Sequence, residues 1–315
     1  MTTSFLRKLE QFPEVEPKSS VVTIGTFDGI HRGHQAILRR VRMAAAEKEL
    51  RSVLVTFQPH PRMVVSPDNV PMLLTSIEEK EQFVPDFFDG QVLVLEFNKQ
   101  LMNQTAEDFV KKVLVDRIGM SHLIVGYDHG LGKNRSGDTT QLRKMGAQWV
   151  FDVDVVEPVH YHGGPVSSSR IRTAMNEGRY AEAIELLGHE YAVYGTVERG
   201  IGLGHKLGYP TANIRYSHRK LLPPQGVYAC WVLLDGEEKE GMLFIGQNHF
   251  NPVAGVTVEA NLFDFDRDIY DEEVIVYPTQ FIRPNQRFDS TEKLVAQIEE
   301  DKKNVLSILR KGVKP

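Results

Sequence analysis

The spacing of apolar runs changes near residue 190, and that change limits what the 315-residue chain can fold into more than any other property. Before it, short β-branched runs alternate with helical patterns. "SVVTIG" (20–25) leads into a stretch where Ile37, Val41 and Ala45 recur every four residues, and "SVLVTF" (52–57) follows. Strand, helix, strand without a hairpin turn predicts a parallel pair joined by a right-handed crossover. "GQVLVLEF" (90–97), "AEDFVKKVLVDRIG" (106–119) and "HLIVGYD" (122–128) continue the alternation, and "LRKMGAQWVFDVDVVEPV" adds a helix end and a strand. The first half is expected to be an open α/β sheet with helices on both faces.

After the change, "YAVYGTV", "GVYACWVLL", "GMLFIG", "GVTVEANLFDFD" and "EEVIVYPTQFI" crowd together, separated by Gly, Pro, Asn and Asp. Such spacing predicts an antiparallel barrel or sandwich. A terminal helix is expected over "DSTEKLVAQIEEDKKNVLSIL". Asp289 is its expected N-cap, with Glu292 three residues on and Leu294, Ile298, Val305 and Leu309 as its apolar stripe. The border falls in the helical segment "RTAMNEGRYAEAIELLGHEY", giving expected domains of residues 1–185 and 186–315.

Composition excludes several classes of function. A formal charge of -5 argues against a general nucleic-acid binder. The one cysteine, Cys230, allows no internal disulfide and no cysteine-based zinc site, so a reducing cytoplasm is the expected home. The N-terminus lacks an apolar core of signal-peptide length, and no run has the roughly 18 apolar residues of a membrane helix. None of these patterns specifies an oligomeric state.

"TFDGIHRGHQAIL" (26–38) sets His31 and His34 where the first strand turns into a helix. Ligands of an open parallel sheet bind beyond the carboxyl ends of its strands, and a helix N-terminus there attracts phosphate. Residues three apart share a face of a helical turn, and Gly33 between them admits a bulky anion. Two imidazoles so placed can donate to phosphoryl oxygens as charge develops. A surface turn with idle histidines is the competing reading. Zinc is not expected, because no third ligand lies nearby in sequence apart from His60. Three more segments fall on the same rim. They are "TFQPHP" with His60, "VGYDHGLGKNRSGD" (125–138) with Lys133 and Arg135, and "VSSSRIR" (166–172) opening a helix. Hydroxyls and guanidinium groups at a helix start make an anion cradle.

"GTFDGIHRGH" with "SSSRIR" resembles the nucleotidylyltransferase superfamily, which carries an HxGH box and a later Ser- and Arg-containing box. The resemblance implies attack by a ligand phosphate on the α-phosphate of ATP, with pyrophosphate leaving and no covalent enzyme intermediate. It implies that His31 and His34 stabilise the transition state and that Ser168, Ser169, Arg170 and Arg172 hold the outgoing phosphates. It also places Gly25, Phe27, Asp28, Gly33 and His60 against the nucleotide. The box alone leaves the acceptor open.

A second glycine-rich segment, "GIGLGHKLGYPTANI" (200–214), is neither a Walker loop nor GxGxxG. Its glycines still form a backbone able to wrap phosphate. Thr211 and Asn213, two apart in an extended segment, project to one side, and their oxygens suit a hard cation such as Mg²⁺. In "GVTVEANLFDFD", Glu259 shares a strand face with Thr257 and Asn261. It reads either as a solvated surface residue or, near a nucleotide, as a general base.

This segment, with "GVYACWV", "VEANLFDFDRDIY" and "IRPNQRFDSTEKLVAQIEED", resembles the riboflavin kinase domain. The order of all the pieces resembles the bifunctional bacterial riboflavin kinase/FAD synthetase family over nearly the whole chain. The resemblance implies a Rossmann-like nucleotidylyltransferase domain followed by an antiparallel β-barrel with a terminal helix. It implies phosphorylation of riboflavin to FMN by the barrel and adenylylation of FMN to FAD by the first domain. ATP would be the co-substrate, Mg²⁺ the cofactor, and FMN and FAD the product ligands. The partners would be small molecules, with no nucleic acid and no membrane. Thr211 and Asn213 would hold the metal, Gly202, Gly204, Lys206 and Pro210 the nucleotide, and Asp128, Arg283 and Phe288 the flavin. Glu259 would activate the ribityl hydroxyl. Leu203 and His205 stand where the family usually has arginines, "GQNHFNP" where it has an RPT-like stretch, and Asp271 where it has glycine. In the first domain "DHGLG" replaces a DFxFG-like segment. A second reading is a flavin-binding or regulatory protein on this scaffold with one site, the kinase, degenerate. A third is a tRNA-linked ligase, opposed by the acidic charge and the absence of a KMSKS-like loop.

Overall fold

The computed structural model describes residues 6–12, 15–132, 137–200, 202–247 and 255–310, with the side chains of Leu6, Leu203 and Lys206 outside that description. The chain divides into two compact units. One comprises residues 1–71 and 80–168, the other residues 72–79 and 169–315.

The first unit is built on six parallel strands in the order β1-β4-β3-β2-β5-β6. They are β1 (Leu6–Lys8), β2 (Ser20–Ile24), β3 (Arg51–Gln58), β4 (Gln91–Glu96), β5 (Met120–Gly126) and β6 (Asp152–Val156). The order runs away from β2 in both directions, since β3 flanks it on one side and β5 on the other. A crevice therefore opens where the two directions part, beyond the carboxyl ends of β2 and β5. Val21, Val22, Val53, Val55, Leu93, Leu123 and Ile124 have no exposed surface. Each such side chain contributes about 1.5–3 kcal/mol on leaving water, which is why these strands read as unbroken apolar runs. The helix Arg32–Lys48 follows β2 and buries Leu38, Val41, Ala44 and Ala45 at helical spacing. The expected helix over 106–119 forms as Ala106–Phe109 continuing into a π-helical stretch, Val110–Arg117. A small hairpin joins β7 (His160–Tyr161) to β8 (Gly164–Pro165).

The second unit is a closed six-stranded antiparallel barrel in the order β10-β13-β12-β11-β14-β9. Its strands are β9 (Val193–Glu198), β10 (Ala212–Tyr216), β11 (Gly226–Leu234), β12 (Glu237–Gln247), β13 (Val256–Leu262) and β14 (Glu273–Arg283). Tyr228, Cys230, Leu243, Ile245, Ala260 and Val276 fill it with no exposed surface, and burial pushes the Cys230 thiol up, leaving it inert. The helix Thr291–Leu309 closes the chain. Its cap is Ser290, whose side chain accepts from the Lys293 amide, and not the expected Asp289. Serine in the extended conformation reaches that amide, while Asp289 instead pairs with Lys293 Nζ at 3.2 Å.

Residues Met72–Glu79 pack with the barrel rather than with the sheet that flanks them in sequence. Leu73 bridges to Lys220 in a parallel pair, and Lys220 Nζ donates to Leu74 O and to Glu79 Oε2, each at 2.6 Å. Glu79 Oε1 also accepts from the Tyr194 amide, so both members of this pair, 2% and 1% exposed, are fully engaged.

Candidate active sites

The turn between β2 and its helix is wound tightly. Phe27 and Ile30 have φ of 46° and 41°, a left-handed conformation that costs a β-branched residue such as Ile30 of order 1–3 kcal/mol. Side chains from several elements hold it. Lys80 Nζ donates to Thr26 O at 2.7 Å, Thr56 Oγ1 to the same oxygen at 3.3 Å, Ser168 Oγ to Asp28 O at 2.9 Å, and Gln35 Nε2 to Ile30 O at 2.9 Å. The Gly25 amide donates to Val55 O at 3.0 Å, which ties the start of the turn to β3. Phe27, Asp28 and Ile30 are buried beneath it.

His31 caps the helix, its Nδ1 accepting from the His34 amide at 3.4 Å. The two imidazoles stack with centroids 3.7 Å apart and planes 15° from parallel. A Cβ at residue 33 would lie 3.2 Å from the His31 ring, so a side chain there could be accepted only if that ring shifted by a few tenths of an ångström. His34 titrates well below its ordinary value of 6.5, first because burial strips its water, then because His31 and the Lys80 ammonium repel a proton. Its ring is neutral at physiological pH. Its Nδ1 is buried without a hydrogen-bond partner among the described residues, which leaves Nε2 as the ring nitrogen to meet a ligand.

His60 and Asp128 follow the carboxyl ends of β3 and β5, the two neighbours of β2. His60 Nδ1 accepts from the Arg62 amide at 3.2 Å, and Asp128 is exposed. Ser168 begins the helix Ser168–Asn176. The two arginines of that box are engaged elsewhere. Ser169 is exposed, Arg170 pairs with Glu182 at 3.2 Å, and Arg172 Nε donates to Met72 O at 2.7 Å. Lys133 and Arg135 lie outside the described residues.

In the barrel, Asn213 on β10 and Glu259 on β13 stand directly opposite each other. The Glu259 carboxylate accepts from Thr257 Oγ1 at 3.1 Å and Thr211 Oγ1 at 3.4 Å. Thr211, Asn213 and Glu259 thus form one cluster of oxygens on a half-buried face. The loop before β10 wraps closely over it. A Cβ at Gly204 would run into the Tyr209 carbonyl oxygen and lie 3.2 Å from Thr211 Oγ1. Gly202 adopts φ 70°, Leu203–Lys206 form a single helical turn, and Pro210 O accepts from Asn261 Nδ2 at 2.6 Å. His205 is exposed, and most of "GQNHFNP" lies outside the described residues. A hydroxyl, an amide oxygen and a carboxylate suit a hard divalent cation bound by one or two protein oxygens with phosphates completing its shell. Among the described residues no three His, Cys, Asp or Glu side chains converge as an all-protein metal cage.

Arg283 is committed to Asp301 on the terminal helix. Its Nε donates at 3.0 and 2.9 Å and its Nη2 at 2.7 Å, and the guanidinium lies 5.8 Å from the Phe288 ring centroid. Asp301 is 1% exposed and takes the place in the helix's apolar stripe between Ile298 and Val305, where its carboxylate breaks the run of apolar residues. Lys80 is a site residue that sequence patterns do not single out, because nothing local links it to Thr26. Asp271 has φ 65°. Aspartate is among the few side chains that tolerate that conformation.

Residues 14–170 match the FAD synthetase family and residues 187–309 the riboflavin kinase family. Curated relatives named bifunctional riboflavin kinase/FMN adenylyltransferase align over nearly the full length. The protein from Listeria monocytogenes is 35% identical over 93% of this chain and 93% of its own, that from Pseudomonas fluorescens 38% over 91% and 92%, and that from Escherichia coli 33% over 94% and 95%. A crystal structure from Streptococcus pneumoniae, described as a macrolide-efflux protein, superposes with a TM-score of 0.83 at 30% identity, covering 98% of this chain and all of that one. Among the described residues no helix is long and apolar enough to cross a membrane. The parallel sheet with its histidine turn, the closed barrel with its Asn–Glu pair and these matches together show that the chain belongs to the bifunctional riboflavin kinase/FMN adenylyltransferase family.

Proposed function

We propose that this chain phosphorylates riboflavin to FMN in its barrel and adenylylates FMN to FAD at its histidine turn. The observation that carries the reading is that one chain holds two separate oxygen- and nitrogen-rich sites, each on the scaffold of a different transferase family. Nothing supports the alternative of a binding protein with a degenerate kinase, since Thr211, Asn213 and Glu259 are all present and clustered.

In the barrel, Glu259 takes the proton of the ribityl hydroxyl as its oxygen bonds to the γ-phosphorus of ATP and ADP departs. The hydroxyls of Thr257 and Thr211 fix the carboxylate's orientation, which a general base requires. Thr211 and Asn213 are the side chains to hold Mg²⁺, which when bound screens the phosphate charge. Gly202, Gly204, Lys206 and Pro210 form the loop over the nucleotide.

At the histidine turn, a phosphate oxygen of FMN bonds to the α-phosphorus of ATP and pyrophosphate leaves. The helix N-terminus and the imidazoles of His31 and His34 stabilise the charge that accumulates on the phosphorus-bound oxygens. Gly33 allows close approach, and Gly25, Phe27, Asp28 and His60 shape the nucleotide side of the crevice. Ser168, Ser169, Arg170 and Arg172 are assigned to the departing phosphates, which requires the two arginines to exchange their present partners. Asp128, Arg283 and Phe288 are assigned to flavin. Residues 1–185 and 186–315 carry the two activities, and the one buried cysteine fits a reducing cytoplasm. Incubating the protein with riboflavin, ATP and Mg²⁺ and separating the flavins tests the reading, with FMN and then FAD expected and unchanged riboflavin the contrary result.

A further inference from the structure

The histidine turn carries backbone strain, and the group that fastens its first residue is a lysine from far along the chain. Lys80, on the helix Ile77–Phe87, is 7% exposed and donates from Nζ to Thr26 O at 2.7 Å. That carbonyl immediately precedes left-handed Phe27, whose ring lies 5.0 Å from His34. We propose that Lys80 is a positioning residue for adenylyl transfer, clamping the turn that carries His31 and His34 and fixing a positive charge at the start of that turn.

Three observations support this. First, the bond is short and buried, so breaking it costs more than a surface contact. Second, Thr26 O also accepts from Thr56 on β3, which makes this carbonyl the point where sheet, turn and Lys80 helix meet. Third, the ammonium acts on His34. The charged and titratable groups that disfavour its protonation are His31 on its own turn and Lys80 from the facing helix, added to burial. The buried Asp28 lies in the same turn. A neutral imidazole keeps one N–H to donate to a phosphoryl oxygen, while the fixed ammonium supplies positive charge that needs no proton uptake.

This inference rests on the adenylyl-transfer reading, and its test separates the two. In Lys80→Met, the His34 ring followed by NMR should titrate at higher pH than in the parent protein. The kcat for FMN to FAD should fall at least tenfold, while riboflavin phosphorylation stays within twofold and reports an intact fold. Lys80→Arg keeps the charge and should return the His34 titration toward the parent value. Unchanged His34 titration in Lys80→Met, or an FAD rate within twofold of the parent, overturns the proposal. If Lys80→Met is misfolded, Lys80→Arg decides: a His34 titration that moves upward despite the retained charge is the contrary result. If the parent itself makes no FAD, the functional reading fails, while the titration still judges the link between Lys80 and His34.

Discussion

Asn213 and Glu259 are direct cross-strand partners on β10 and β13, so the amide proposed to hold the metal and the proposed base are held side by side by the barrel's own register. A slip of one residue in that pairing would put the two side chains on opposite faces. The proposed kinase chemistry is thereby tied to strand registry.

Glu259→Gln keeps the shape and the Thr257 contact but cannot accept a proton. Riboflavin phosphorylation should drop by about 10²–10⁴, the range of a lost general base. Conversion of supplied FMN to FAD should continue at the parent rate. A kinase rate equal to the parent's removes Glu259 from the mechanism.

The histidines give the converse pattern. His31→Ala or His34→Ala should lower FAD formation by about 10²–10³, as for a lost oxyanion donor, while FMN accumulates from riboflavin. Gly33→Ala should act in the same direction by pushing the His31 ring off its stack, since the new methyl would sit 3.2 Å from it. Loss of both activities in a folded variant would falsify the division of labour.

His34 also gives stability a pH dependence of defined sign. The folded ring resists protonation well below 6.5, whereas the unfolded ring takes a proton near that value. The unfolded chain therefore binds more protons in mild acid, and stability falls as pH drops below about 6.5 until the folded ring itself titrates. His122, depressed chiefly by burial, adds the same sign. Urea midpoints measured from about pH 7.5 to 5 should decline, and His34→Gln should decline less steeply. Parallel curves for the two proteins would count against a neutral buried His34.

The pair Lys220–Glu79 is the most deeply buried ion pair described, at 2% and 1% exposure. Glu79→Ala should cost about 3–5 kcal/mol, because it strands the ammonium away from water. Replacing both residues by methionine should cost less than that single change. A loss below about 1 kcal/mol for Glu79→Ala would mean that the site opens to solvent.

Much of this architecture is legible in the sequence because it is local. The β-branched runs of β2, β3 and β5 and the stripe Val41–Ala45 reflect neighbours two to four residues apart, and HxGH falls at a strand-to-helix junction that those runs define. The strand β10, "ANIRY", alternates over only five residues, and β1 spans only three. Each is made a strand by partners far away in sequence. The same holds for the site's supports. Thr26 and Lys80 are 54 residues apart, and Arg283 and Asp301 are 18 apart across a strand and a helix. Met72–Glu79 joins the barrel through Lys220, 141 residues from Glu79. Pairings of that range leave no periodic trace.

Mixing two single-site variants tests the central claim most directly. Glu259→Gln alone should leave riboflavin unconverted, and His34→Ala alone should stop at FMN. Combined in one vessel with riboflavin, ATP and Mg²⁺, they should yield FAD, because FMN released by one is adenylylated by the other. FAD from riboflavin with either variant alone, or none from the mixture, contradicts two separate pockets working in sequence.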